Sequence, residues 1–294
     1  MMWRLSGVIA VLTWLSAAAV GYEQRGAADC RPSGTLARIA DVPEASGLAV
    51  GRRASGHLWT HNDSGDPVVF AIDPAGRVAG RVRITGASVE DWEALAAGPC
   101  GGGSCLYIAD IGDNDANRSR VTVYRLPEPS PADGSASVDA VFHLAYPDGA
   151  HDAEALLIAP DGGLFIVTKG DTGPVALYRT PRDLRPGVTT RLERVGQPQT
   201  GAEAPRNFRI TDGAMSADGQ WVALRTTASL VFYRASDFLK GTWREAKRLD
   251  LGPLGEPQGE GIALGDGQTV YLAGEGGGKG RPGTFVRFAC SPGP

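Results

Sequence analysis

Glu93-Ala94-Leu95-Ala96 returns along the chain in altered form as Ser46-Gly47-Leu48-Ala49, Glu154-Ala155-Leu156-Leu157, Asp212-Gly213-Ala214-Met215 and Glu260-Gly261-Ile262-Ala263. The spacings are 47, 61, 58 and 48 residues. A phrase that recurs at this period signals a repeat architecture. Each phrase is followed by a second apolar run, at 58–60, 106–109, 164–167, 221–224 and 270–273. A third run follows at 68–72, 121–124, 175–178, 230–233 and 284–288. Four units add a more polar fourth run, at 81–84, 141–144, 190–195 and 246–249. Short β-branched and aromatic runs between Gly, Pro, Asn and Asp clusters are strands in hairpins. Four such strands per unit, repeated radially, make a propeller.

The fifth unit has three runs before the chain ends, and residues 35–39 look like its missing outer strand. Pairing 35–39 with 284–288 would bring Cys30 beside Cys290, where a disulfide could close the ring. The expected fold is all-β: a five-bladed β-propeller over residues 35–294, its last blade closed by the N-terminal strand. Six blades with one unrecognised, or a β-sandwich assembly, are the alternatives. Cys100 and Cys105 flank Gly-Gly-Gly-Ser, which suits a local staple.

The N-terminus resembles a targeting segment. Arg4 precedes an uncharged apolar stretch and Ala17-Ala18-Ala19, so residues 1–19 are expected to be a signal peptide and 20–34 a linker. An uncleaved anchor is the rival, although the stretch is short against the roughly 20 residues of a span. Export permits disulfides and points to a secreted, periplasmic or cell-envelope protein. The net charge of −4 lacks the basic surplus of a nucleic-acid groove. A monomer without a membrane span after cleavage is expected.

Neighbouring strands of a blade run antiparallel, so the start of its first strand and the end of its second share one face. Fivefold symmetry then points Ser46, Glu93, Glu154, Asp212 and Glu260 at the axis. Carboxylates this close cannot all stay ionised. A hard cation, Ca2+ with its six to eight oxygen ligands, would resolve the repulsion. The rival is a water-filled channel where carboxylates pair with Lys169 or Arg225, or remain partly protonated. The same mouth collects Asn62 and Asp63, Asp110, Asp113 and Asn114, Asp91, His151 and Asp152, and Arg206, Asn207 and Arg209. Many of these residue types simply make turns. Lys169 and Arg225 end apolar runs, and with Arg206 and Arg209 they could form an anion pocket above the ion. Gly51-Arg52-Arg53 suits a solvated turn, and Trp59, Trp92 and Trp221 suit packing between blades, Trp92 being placed to reach the mouth.

The series Ser46-Gly47, Glu93, Glu154, Asp212 and Glu260-Gly261-Ile262, with residues 58–65 after it in the first blade, resembles the calcium-activated nucleotidase (apyrase) family. The resemblance implies a secreted or lumenal five-bladed propeller with axial Ca2+ that hydrolyses nucleoside di- and triphosphates. Asp212 departs from it, standing where a hydroxyl is expected. The 110–120 loop and the Cys100–Cys105 insert have no counterpart there. The chain more distantly resembles bacterial propellers with phytase-like or esterase-like labels, and fold analogy does not transfer function.

Three functions are therefore expected in order. The first is an envelope or extracellular binding module with an axial Ca2+, its partner a small anionic molecule or envelope ligand. The second is a Ca2+-dependent phosphoric-ester or phosphoanhydride hydrolase. In it Asp63, Asp110 or Asp113 would serve the attacking water, Lys169 and Arg225 the developing charge, and Asn62, Asn114, Arg206 and Arg209 the substrate. The third is a glycoside hydrolase using Glu93, Glu154 and Glu260.

Overall fold

The computed structural model describes residues 29–54, 56–198 and 208–291. The expected signal peptide lies outside them. The first blade consists of β3 (Ala45–Val50), β4 (Leu58–Asn62), β5 (Val68–Ile72) and β6 (Val78–Thr85). The second consists of β7 (Trp92–Cys100), β8 (Gly103–Asp110), β9 (Val121–Pro127) and β11 (Ala140–Ala145). In the third, β12 (Ala153–Ile158), β13 (Leu164–Thr168), β14 (Leu177–Arg179) and β16 (Glu193–Gly196) pair in sequence. In the fourth, β17 (Ile210–Met215), β18 (Trp221–Thr226), β19 (Ser229–Arg234) and β20 (Glu245–Asp250) do the same, with a one-turn helix α1 (Ala235–Phe238) after β19.

The last blade is a composite. β21 (Gln258–Leu264), β22 (Thr269–Glu275) and β23 (Gly283–Ser291) come from the C-terminal end. β2 (Ala37–Ile39) pairs antiparallel with β23, Ala37 opposite Phe285 and Ile39 opposite Gly283. β1 (Asp29–Pro32) lies on the same strand with Cys30 opposite Cys290, and these two cysteines are disulfide-bonded. The closing sheet thus begins inside the stretch expected to be a linker. Cys100 and Cys105 form the second disulfide.

Five sheets in a ring have five interfaces, and each interface holds one apolar cluster. Inner strands are buried almost throughout because both faces meet neighbouring blades. The outer β6 alternates buried and exposed residues, one face to its neighbour and one to water. Close approach at the axis dictates the small second residue of the repeated phrase. A Cβ on Gly47 would collide with the Leu95 nitrogen, and one on Gly261 with the Ser46 oxygen. Trp59 and Trp92 are wholly buried between the first two blades, and Trp92 Nε1 donates to the Ser88 carbonyl rather than facing the mouth.

Two features correct the sequence reading. Residues 190–195 are not one outer strand. Leu192 is buried between the second and third blades, its N–H donating to the Ala145 carbonyl, and the chain divides around it. β15 (Thr189–Arg191) joins β11 as a parallel fifth strand, while β16 stays with β14. β10 (Gly134–Ser137) likewise adds a parallel strand to β6. Gly51-Arg52-Arg53 is also more than a solvated turn. The N–H groups of Arg52 and Arg53 and Trp59 Nε1 donate to the buried carboxylate of Glu128, fastening the first blade to the second.

Candidate metal centre at the acidic mouth

Every inner strand carries a β-bulge at its mouth end. Regular pairing breaks between Ala45 and Leu48, Trp92 and Ala94, Ala153 and Ala155, Ile210 and Asp212, and Gly259 and Ile262. A bulge leaves a residue outside the ladder and re-aims its side chain. In four blades the released residues include the expected Ser46, Glu93, Glu154 and Glu260. In the fourth blade the bulge falls one position early, on Thr211, and Asp212 stays in register opposite Arg225. The two hydroxyls then act alike: Ser46 Oγ donates to the Glu93 carbonyl at 2.8 Å, and Thr211 Oγ1 to the Glu260 carbonyl at 3.3 Å.

Among the described residues, Glu93, Asp152 and Glu154, all buried, bring one carboxylate oxygen from each within 4.8 Å of the others. Asp152 was placed at the mouth by sequence but not among the axial set. It directly precedes β12, two positions before the released Glu154. Ser46 Oγ lies 3.4 Å from Glu93 Oε2. Lys169, directly after β13, ion-pairs Glu154 and lies 3.3 Å from Asp152 Oδ2.

Burial sets the electrostatics. It raises the Glu93 carboxyl to about 8, with the Asp91 charge adding and a hydrogen bond with Glu154 and the Lys169 charge opposing. Burial and then the Glu93 charge hold Glu154 well above the usual range against the pull of Lys169. Glu260 is raised to about 7, again chiefly by burial, against its hydrogen bond with Gln258 and the Arg225 charge. Burial works against the Lys169 charge, but Glu154 and Asp152 outweigh it and keep the ammonium protonated.

The donor set fits a hard cation. All three groups supply carboxylate oxygens, and oxygens bound to one Ca2+ at about 2.4 Å can lie no more than about 4.8 Å apart. Asp152 Oδ2 is buried with no hydrogen-bond partner. Such a buried oxygen is costly unless a cation meets it, and here the Lys169 ammonium 3.3 Å away does so.

The other expected residues are placed as follows. Asp212 is fully buried, Oδ1 accepting the Gly213 N–H at 2.7 Å and Oδ2 the Ile262 N–H at 2.8 Å, and it is not brought into the carboxylate group. Arg225 is also fully buried, donating to the Gly261 and Ala273 carbonyls at 2.7 and 2.6 Å and to Glu256 at 2.6 Å. Asp110 accepts the Glu90 and Asp91 N–H groups and pairs with Arg118. Asp113 accepts the Asn117 and Arg118 N–H groups, and its own N–H donates to Asp152 Oδ1 at 2.8 Å, steadying that carboxylate. Asn62 Oδ1 accepts the Glu44 N–H, and Asn114 Nδ2 donates to Asp91. Arg209 pairs with Asp171, and Arg206 and Asn207 lie outside the described residues. Asp63 is raised to about 6 by burial and by the charges of Glu44 and Glu275.

A cavity of about 300 Å³ is lined by Leu48, Leu95, Leu156, Met215 and Leu264 with Arg52 and Asp266.

The fold and this carboxylate-lined mouth define the class: a closed five-bladed β-propeller. No protein-family model matches the chain, and no curated protein sequence does. Solved structures do. The PQQ-bound aldose sugar dehydrogenase of Streptomyces coelicolor aligns with a TM-score of 0.54 at 13% identity, over 90% of this chain and 98% of its own. The major allergen Mala s 1 of Malassezia sympodialis gives 0.54 at 12%, over 86% and 96%. A putative glucose dehydrogenase of Thermus thermophilus gives 0.50 at 13%, over 86% and 99%. Identities this low establish a shared propeller fold alone.

Proposed function

We propose that this chain is an exported binding propeller of the cell envelope or extracellular space, with a Ca2+ held on the axis by Glu93, Glu154 and Asp152. Ser46 and Glu260 flank the site. The observation that carries the reading is the buried convergence of three carboxylates within 4.8 Å. Bound there, Ca2+ would supply a positive centre to which an anionic ligand entering the mouth adds its oxygens. The two disulfides support export, because such bonds persist in oxidising compartments. Among the described residues, no helix is long and apolar enough to cross a membrane.

The hydrolase reading draws less support. A phosphoryl group needs cationic partners beyond the ion. Arg225 is committed inside the sheet and Arg209 to Asp171. Asp63, raised to about 6, is the residue that favours it, since a general base works best with a pKa near the working pH.

Calorimetric titration of chelator-treated protein with Ca2+ tests the proposal. One ion per chain is expected, and Glu154→Gln is expected to weaken binding at least tenfold. Absence of binding to the wild type would refute it. A nucleotide, phytate and aryl-phosphate hydrolysis screen with Ca2+ or chelator separates binding from catalysis.

A further inference from the structure

The ammonium of Lys169 rests on the carboxylates of the candidate cation site. It ion-pairs Glu154 and lies 3.3 Å from Asp152 Oδ2. The backbone of Lys169 is pinned on both sides: its N–H donates to the Asp152 carbonyl at 3.0 Å, and its carbonyl accepts the Ile210 N–H of the next blade at 2.9 Å. Only the side chain is free to move. It is 19% exposed, so it has a way out to solvent. A divalent ion seated among the same oxygens would lie against this ammonium, and like charges so close repel strongly at low dielectric.

Resting on the axial-ion reading, we propose that Lys169 is a tethered competitor for the cation. Without the ion its ammonium neutralises Glu154 and Asp152. With the ion, the side chain swings outward about its four rotatable bonds while the backbone stays fixed. Lys169 is then a specificity-determining residue. Na+ or K+ brings no more charge than the ammonium it would displace, so only a cation of higher charge gains by entering.

The chain has four lysines, Lys169, Lys240, Lys247 and Lys279, which makes the test direct. The wild-type protein is acetylated with an amine-reactive reagent in chelator and in saturating Ca2+, and labelling is followed by peptide mass spectrometry against exposed Lys240. Lys169 is expected to react slowly without Ca2+ and at least tenfold faster with it. An unchanged rate while calorimetry shows Ca2+ bound would overturn the competitor role and leave the axial site standing. Lys169→Met is expected to bind Ca2+ at least tenfold more tightly and to become sensitive to Na+; equal or weaker Ca2+ affinity would overturn the proposal. If neither the wild type nor the variant binds Ca2+, the axial site and the competitor fall together.

Discussion

Asp212 Oδ2 accepts the Ile262 N–H at 2.8 Å and so ties the inner strand of the fourth blade to that of the fifth. The other oxygen holds the Gly213 N–H. Asp212→Ala would leave buried backbone donors unpaired, at roughly 1–3 kcal/mol each. The expected outcome is a lower urea midpoint with Ca2+ affinity within a few-fold of wild type. A loss of Ca2+ affinity at unchanged stability would instead make Asp212 a ligand.

Arg225 extends the same seam. Its guanidinium serves two carbonyls and Glu256 inside the sheet. Breaking a buried pair on one side costs about 3–5 kcal/mol. Arg225→Met is expected to unfold at markedly lower urea while anion binding by the folded fraction is unchanged. A variant of normal stability that no longer binds anions would return Arg225 to the mouth.

The pH dependence has a definite sign. Glu93 and Glu260 titrate near 8 and 7 in the folded protein, against an ordinary 4.5. The metal-free fold therefore keeps protons that the unfolded chain has released. Stability from these groups is present below about pH 4.5 and is lost as pH rises through 7 and 8. Thermal melts in chelator should fall by several degrees from pH 5 to pH 8. Ca2+ requires the ionised carboxylates, so its stabilising shift should be larger at pH 8 than at pH 5. A metal-free melt that rises over this range would contradict the buried, protonated arrangement.

The blade count and the closing strand were legible because the repeated phrase and its apolar runs follow inner-strand packing, and Cys30 and Cys290 mark the ends that meet. The parallel strands β10 and β15 were not, since Gly134–Ser137 and Thr189–Arg191 are short, polar edge segments placed by the chain's path rather than by a hydrophobic pattern. The fourth-blade bulge was missed by one residue. Asp212-Gly213-Ala214 matches the phrase by composition, and nothing local says that Thr211, not Asp212, leaves the ladder. Asp152 was visible as a mouth residue, but its convergence with Glu93 depends on how two blades dock.

Ring closure is separately testable. The Cys30–Cys290 bond spans 260 residues, and cross-links over long loops stabilise by roughly 2–5 kcal/mol. The Cys30→Ser, Cys290→Ser pair should melt well below wild type. Replacing Cys100 and Cys105, five residues apart, should cost clearly less. Equal losses would contradict a closing role for the longer bridge.

Crystals soaked in Ca2+ or Tb3+ and measured for anomalous scattering test the central claim most directly. A single strong peak on the axis, within bonding distance of Glu93, Asp152 and Glu154, is the predicted result. A featureless map around these three carboxylates, or a peak only at the rim, would contradict it.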